Sequence, residues 1–177
     1  MKLKALIPLL AFLALAGAFA LGLNRDPKIL PSVLIDKPFP AFQLTDLYDE
    51  TEILDRSLVS GRVSLVNVFG SWCVACVQEH PTLLSLSRAN IVPIIGIDWR
   101  DTRPAAKAWL ARAGNPYTKI IFDPDSQLAI DLGVTGAPES FIVDKSGRVR
   151  YKYTGVITPS VWERELRPII EELEQAK

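Results

Sequence analysis

The residues able to do chemistry in this 177-residue chain are its two cysteines, Cys73 and Cys76, within Gly70-Ser71-Trp72-Cys73-Val74-Ala75-Cys76. An apolar run, Val63 to Phe69, precedes them, and a segment of helical pattern follows. The dithiol is therefore expected where a strand gives way to a helix N-terminus. There the helix dipole and free N–H groups favour an anion, so the first thiol should lose its proton more readily. A thiolate beside a second thiol that can close a small ring onto it is the working part of a disulfide exchanger. Cys73, at the expected exposed helix start, is assigned as nucleophile, and Cys76, pointing back into the first turn, as resolving thiol.

Other uses of the pair fit less well. A structural zinc site usually needs four ligands, and only His80 stands near the two cysteines. Cys73, Cys76 and His80 could still serve a copper- or zinc-handling chaperone. Haem attachment needs histidine directly after the second cysteine, where Val77 stands. A peroxidase would use a lone cysteine. A purely structural disulfide over so short a loop contributes little chain-entropy stabilisation. Trp72 reads as a wall of the site and His80 as a helix-surface residue.

The elements that must position this pair follow from apolar patterning. Val63 to Phe69 reads as a central strand buried on both faces, and Val92 to Asp98 as a second. Phe39 to Leu44 is expected to be a strand, and Leu47 to Leu58 a turn and short helical segment. Helices are expected from Cys73 to about Ala89, with Pro81 as a kink, and from Arg103 to Ala113, between Pro104 and Gly114. Lys119 to Phe122 reads as a strand and Ser126 to Leu132 as a short helix. Ser140 to Val143 and Val149 to Tyr153 form a hairpin across Asp144-Lys145-Ser146-Gly147. Pro159 to about Gln175 reads as an amphipathic helix with Val161, Trp162, Leu166, Ile169 and Ile170 inward. The order implies an α/β sheet with helices on both faces. Pro138, directly before a strand in a glycine-bracketed turn, is a candidate for a cis peptide bond.

Lysine plus arginine balances aspartate plus glutamate at 20 each, so no basic field points to nucleic acid. With 49% apolar residues and two cysteines, the fold must rest on a hydrophobic core. Lys2 and Lys4 precede an uncharged stretch, Ala5 to Leu23, which as a helix would span roughly 28 Å. Its length favours an uncleaved membrane anchor, while Ala16-Gly17-Ala18 and Ala18-Phe19-Ala20 also allow a cleaved signal peptide. Either places the remainder outside the cytoplasm. The following connector, with Pro27 and Pro31, reads as an extended tether.

Taken together, these residues resemble the thioredoxin superfamily and, within it, the membrane-anchored CcmG/DsbE proteins of bacterial cytochrome c maturation. The motifs that carry the resemblance are Phe39-Pro40-Ala41-Phe42, Trp72-Cys73-Val74-Ala75-Cys76, Glu79-His80-Pro81, Gly114-Asn115-Pro116-Tyr117, Phe122-Asp123 and Leu132-Gly133-Val134-Thr135-Gly136-Ala137-Pro138-Glu139. The resemblance implies a thioredoxin-like α/β fold, a central mixed β-sheet flanked by helices on both faces, over residues 38–177. It implies a cytoplasmic N-terminus at 1–4, a transmembrane signal-anchor helix at 5–23 and a periplasmic tether at 24–37. Pro138 is implied to be cis and to face the Cys73–Cys76 pair. The implied role is a periplasmic reductant on the bacterial inner membrane, fed by a CcdA- or DsbD-like membrane electron donor. Its target would be the Cys-x-x-Cys-His of apocytochrome c or a CcmH-like thiol protein, and no free cofactor is implied. A TlpA- or ResA-like general reductant is the nearest alternative.

The sequence departs from ordinary thioredoxins at Asn67, where they carry a buried aspartate, and Glu79 is the residue onto which proton handling would pass. Val74-Ala75 replaces the usual pair between the cysteines. Acidic groups near a thiolate raise its pKa. Glu79 and Glu139, if close to Cys73, would make the pair more reducing.

Overall fold

The computed structural model describes residues 7–23 and 34–176. The expected tether lies largely outside those residues, as do positions 1–6. Two compact units are present, one containing helix α1 (Ile7–Leu23) and one containing the rest. The 17 residues of α1 rise about 26 Å. Among the described residues, no helix is long and apolar enough to cross a membrane.

The second unit is built on a five-stranded sheet. Its strands are β3 (Ser64–Phe69), β4 (Ile94–Trp99), β5 (Lys119–Asp123), β6 (Glu139–Val143) and β7 (Val149–Thr154), in spatial order β5-β4-β3-β6-β7. β3, β4 and β5 run parallel, and β6 and β7 are antiparallel additions, so the sheet is mixed. Every residue of β3, β4 and β6 is buried, as continuous apolar runs in a two-sided sheet require.

Helices cover both faces. Leu83 and Leu86 of α2 (Val74–Arg88), Ala106 and Leu110 of α3 (Arg103–Ala113), and Trp162, Leu166 and Ile170 of the C-terminal helix share one core with Leu65 and Phe69. Leu128 and Ala129 of α4 (Gln127–Asp131), with Leu132, share the other with Phe39, Val66, Val68 and Phe141. The C-terminal helix is not uniform: α5 (Pro159–Val161) passes through a π-helical turn (Trp162–Leu166) into α6 (Arg167–Gln175).

Two expectations at the entrance need correction. Strand β1 is only Gln43–Thr45, paired antiparallel to β2 (Ile53–Asp55) in a separate two-stranded sheet. The expected strand start at Phe39 instead packs as a fully buried side chain, because Pro40 has no N–H for a ladder. β2 and the 3₁₀ turn Arg56–Val59 replace the short helical segment expected within Leu47 to Leu58. A three-residue strand carries no readable period. Helix α2 runs from Val74 to Arg88 with Pro81 inside it.

Gly96 shows how tightly the central strand is packed. A Cβ there would come within 2.8 Å of Phe69 Cε1 and 3.0 Å of Tyr117 Cγ. Both rings are buried and stack with centroids 4.6 Å apart. Gly96→Ala is therefore expected to destabilise the fold by about 1–3 kcal/mol, as overpacked cores do. Denaturant unfolding checks this; an unchanged midpoint would show that the rings move aside freely.

Candidate active site

β3 ends at Phe69 and the chain turns through Gly70, Ser71 and Trp72 into α2. The Cys73 N–H closes this turn on Gly70 O at 3.0 Å. Cys73 is the N-cap of α2, with φ −85° and ψ 103°, and its Sγ accepts the Cys76 N–H at 3.1 Å. That bond places a helix N–H donor on the sulfur of position 73. The N-cap sulfur takes the place of a capping oxygen, and negative charge on it faces an otherwise unpaired N–H. Cys73 and Cys76 form a disulfide, with their Cα atoms 5.3 Å apart.

The expected exposure of Cys73 is not found. Cys73 is 4% exposed and Cys76 2%, so both sulfurs sit in the core cluster shared with α2. Exposed apolar side chains surround them instead: Trp72, Val74 and Val77 are all about half exposed or more. Trp72 packs beside the turn that leads into α2. Its Nε1–H donates to Trp99 O at 3.1 Å, its ring meets Trp99 edge-on at 5.7 Å, and its indole lies against Gly70.

Beneath the dithiol lies a buried polar network. Asn67 Nδ2 donates to Glu79 Oε1 at 2.8 Å and to Ser140 Oγ at 3.0 Å. Tyr117 OH donates to Asn67 Oδ1 at 2.8 Å, and the Ile157 N–H donates to Glu79 Oε2 at 3.0 Å. Burial pushes the Glu79 carboxyl up to about 7, against the opposing pull of the Ile157 N–H and the Asn67 amide. Burial, with Glu79 and Asp98 nearby, likewise holds the Tyr117 hydroxyl well above its usual range. Glu79 is thus a buried, hydrogen-bonded acid and not a solvated surface charge.

His80 also departs from expectation. It is buried rather than on the helix surface, its Nε2 meeting Gly114 O at 3.0 Å and its ring packing on Trp109 at 4.5 Å. Burial lowers its pKa. The ring's ordinary side-chain role is therefore to tie α2 to the end of α3. Among the described residues no cluster of three His, Cys, Asp or Glu side chains is arranged to hold a metal.

The Ala137–Pro138 bond is cis, as expected. Glu139 follows it at the start of β6, in register with Val68, and is fully buried. Its carboxylate accepts the Thr135 N–H at 3.0 Å and pairs with Lys152 Nζ at 2.9 Å; Lys152 also donates to Gly133 O at 2.7 Å. Glu139 therefore does not bring the free negative charge expected beside Cys73. It is neutralised from β7 and clamps the 133–138 loop. Tyr117, Ser140, Thr135 and Lys152 had no role assigned from sequence, although Tyr117 closes the Gly114-Asn115-Pro116-Tyr117 motif and Thr135 lies in the proline motif.

Comparison with known proteins agrees with this geometry. The thiol:disulfide interchange protein DsbE of Allochromatium vinosum is 51% identical over 167 residues, covering 94% of this chain and 92% of its own. The DsbE of Pseudomonas aeruginosa is 44% identical over 168 residues, covering 95% of this chain and 93% of its own. The chain belongs to the DsbE family. Residues 35–167 also match the broader Redoxin family, which spans the sheet and both site motifs. The crystal structure of a secreted thiol-disulfide isomerase from Corynebacterium glutamicum superposes with a TM-score of 0.65 at 24% identity, covering 83% of this chain and 96% of that one. That likeness bears on the thioredoxin-like fold. As a DsbE, this protein is a thiol-disulfide oxidoreductase, and its Cys73–Cys76 disulfide is the redox centre that the family's interchange reaction requires.

Proposed function

We propose that this DsbE works as a reductase in which Cys73 attacks and Cys76 resolves. The observation that carries the assignment is the Cys76 N–H directed at Cys73 Sγ, which stabilises a thiolate on Cys73 and not on Cys76. In the reduced protein the Cys73 thiolate attacks one sulfur of a substrate disulfide, forming a mixed disulfide and releasing the other substrate sulfur as a thiolate. Cys76 loses its proton, attacks Cys73 Sγ, closes the intramolecular disulfide and frees the second substrate thiol. Two electrons pass to the substrate. Glu79, buried one turn from Cys76 and poised near neutrality, is suited to take the proton from Cys76. Trp72, Val74 and Val77 on one side, and the loop ending in Pro138 and Glu139 on the other, shape the site for an extended substrate strand.

The substrate we infer is the Cys-x-x-Cys-His segment of apocytochrome c, or a CcmH-like thiol protein, with a CcdA- or DsbD-like membrane protein returning electrons. What supports this reading is membership of the DsbE family together with a dithiol that must be re-reduced after each turnover. Residues 5–23 act as a signal-anchor in the bacterial inner membrane, with 1–4 cytoplasmic, 24–37 a tether and the catalytic domain periplasmic. Support comes from α1 itself: it carries no charged residue, and its described large apolar side chains, Ile7, Leu9, Leu10, Phe12, Leu13, Leu15 and Phe19, are all more than half exposed. A helix so apolar around its whole circumference needs an apolar environment.

Trapping tests the assignment. Cys76→Ser in the full-length protein is expected to accumulate a mixed disulfide through Cys73 with an oxidised Cys-x-x-Cys-His peptide, seen as a mass increase equal to the peptide. Cys73→Ser is expected to accumulate none. Trapping by Cys73→Ser alone would reverse the roles, and equal trapping of a peptide without the Cys-x-x-Cys-His pattern would favour a general reductant of the TlpA or ResA kind.

A further inference from the structure

Asp98 is the buried acid that the exchange chemistry leaves unused. It stands near the carboxyl end of β4, in register with Phe69 of β3 and Phe122 of β5, and is fully buried. Among the described residues no N–H or hydroxyl donor reaches either of its oxygens. The side chain it meets is another carboxyl, Asp101, in the loop before α3. Both Asp101 oxygens are occupied by backbone donors, Oδ2 by the Ser71 N–H at 2.5 Å and Oδ1 by the Thr102 N–H at 2.7 Å.

Asp98 is out of water and Asp101 only half-buried, and a charge on Asp98 is opposed both by its own desolvation and by repulsion from Asp101. One proton between them removes the conflict. It belongs on Asp98, since an acid whose oxygens have no donor gains a partner only by becoming one. Asp101 already accepts two backbone N–H bonds. We propose that Asp98 and Asp101 share a proton and act as positioning residues for the attacking thiol, Asp98 donating to Asp101 while Asp101 holds the Ser71 backbone two residues before Cys73.

The surrounding charges permit this. Arg103 of α3 favours ionisation of Asp98, but its guanidinium is engaged by Asp46 O, Leu47 O and Thr45 Oγ1. Tyr117 and, beyond it, Glu79 supply no positive charge. Burial first, and then the Asp101 charge, push Asp98 up to about 8. Below that pH the pair is intact; above it Asp98 ionises, repels Asp101 and loosens its grip on the loop carrying Trp72 and Cys73.

The inference rests on Cys73 as attacking thiol, so its test has one arm that does not involve turnover. Full-length protein labelled with carbon-13 at aspartate carboxyls is titrated by NMR, with Asp98 assigned through bonds. Its carboxyl is expected to titrate near 8; titration of Asp98 below about pH 6 overturns the shared proton whatever the activity shows. The second arm compares wild type with Asp98→Asn, whose amide N–H donates to Asp101 at every pH, in reduction of an oxidised Cys-x-x-Cys-His peptide. The ratio of kcat, variant over wild type, is expected near one at pH 7. It should rise about tenfold by pH 9, since one unit above the acid's pKa about a tenth of the pair retains its proton. Asp98→Ala, which offers no donor, is expected to lower kcat at pH 7 with KM unchanged. Parallel pH profiles for wild type and Asp98→Asn overturn the positioning role. If Asp98→Asn does not fold, the wild-type titration alone decides the shared proton.

Discussion

Replacing Lys152 by methionine is expected to destabilise the catalytic domain by about 3–5 kcal/mol, the usual cost of leaving one member of a buried ion pair behind. The Lys152 side chain is 6% exposed and that of Glu139 not at all, so the pair lies out of water. Methionine fills nearly the same volume but offers neither charge nor donor. Glu139 would then keep only its Thr135 contacts, and Gly133 O would lose its donor. Because both contacts belong to the 133–138 loop, the loss is expected in substrate affinity as well as stability. The double change Lys152→Met with Glu139→Gln should recover most of the stability, since no buried charge remains. Urea unfolding of the three variants checks this. A single variant within about 1 kcal/mol of wild type would mean that solvent reaches the pair, as at exposed salt bridges.

The same pair marks where sequence reading stopped. Val63 to Phe69 and Val92 to Asp98 were legible as buried strands because apolar runs bounded by turn residues have few alternative readings. Arg103 to Ala113 was legible from Pro104 and Gly114, which mark its two ends. The dithiol's place at a helix start followed from that order of elements. What spacing could not show was which buried polar groups face each other across the sheet. Asn67 meets Ser140 across 73 positions and Tyr117 across 50, contacts created only when β3 lies between β4 and β6. Glu139 looked like an acid beside the thiol because its partner lies on β7, 13 residues later. His80 looked like a surface residue because helical period alone could not reveal Gly114 O behind it. The exposure of Cys73 was overestimated for a related reason: a helix start is open to solvent only where its surroundings leave it so, and here both cysteines pack within the core cluster that α2 shares with the sheet.

Three carboxyls near the dithiol therefore have three different fates. Glu139 is neutralised by a cation, Asp98 by a proton shared with Asp101, and Glu79 stands between, close to neutral pH. Glu79, raised to about 7, changes charge at the lowest pH of the two raised acids, and Asp98, raised to about 8, follows it. The expected tuning of Cys73 by two free glutamates thus reduces to one residue and depends on its protonation state.

Glu79→Gln is expected to flatten the pH dependence of stability between about 4.5 and 7. The Glu79 carboxyl is raised from 4.5 to about 7 in the folded protein, so in that window the native state keeps a proton the unfolded chain has already released. Where the native state binds more protons than the unfolded state, stability falls as pH rises. The contribution of the protonated acid is fully present below about 4.5, is lost progressively up to about 7, and stays lost above it. At roughly 1.4 kcal/mol per pKa unit the loss is about 3 kcal/mol. Glutamine carries no charge: its carbonyl can take the Ile157 N–H, while its amide NH2 cannot accept the Asn67 amide, which retains Ser140 Oγ. The stability of the variant relative to wild type should accordingly rise from pH 4.5 to pH 8. Activity should move the other way. Without a group to accept the Cys76 proton, release of the mixed disulfide is expected to slow by about 10²-fold or more. Formation of that mixed disulfide through Cys73, in a single-turnover experiment, should remain close to wild type. A variant that keeps the wild-type slope of stability between pH 4.5 and 7 would show that Glu79 ionises in the folded protein as it does in water.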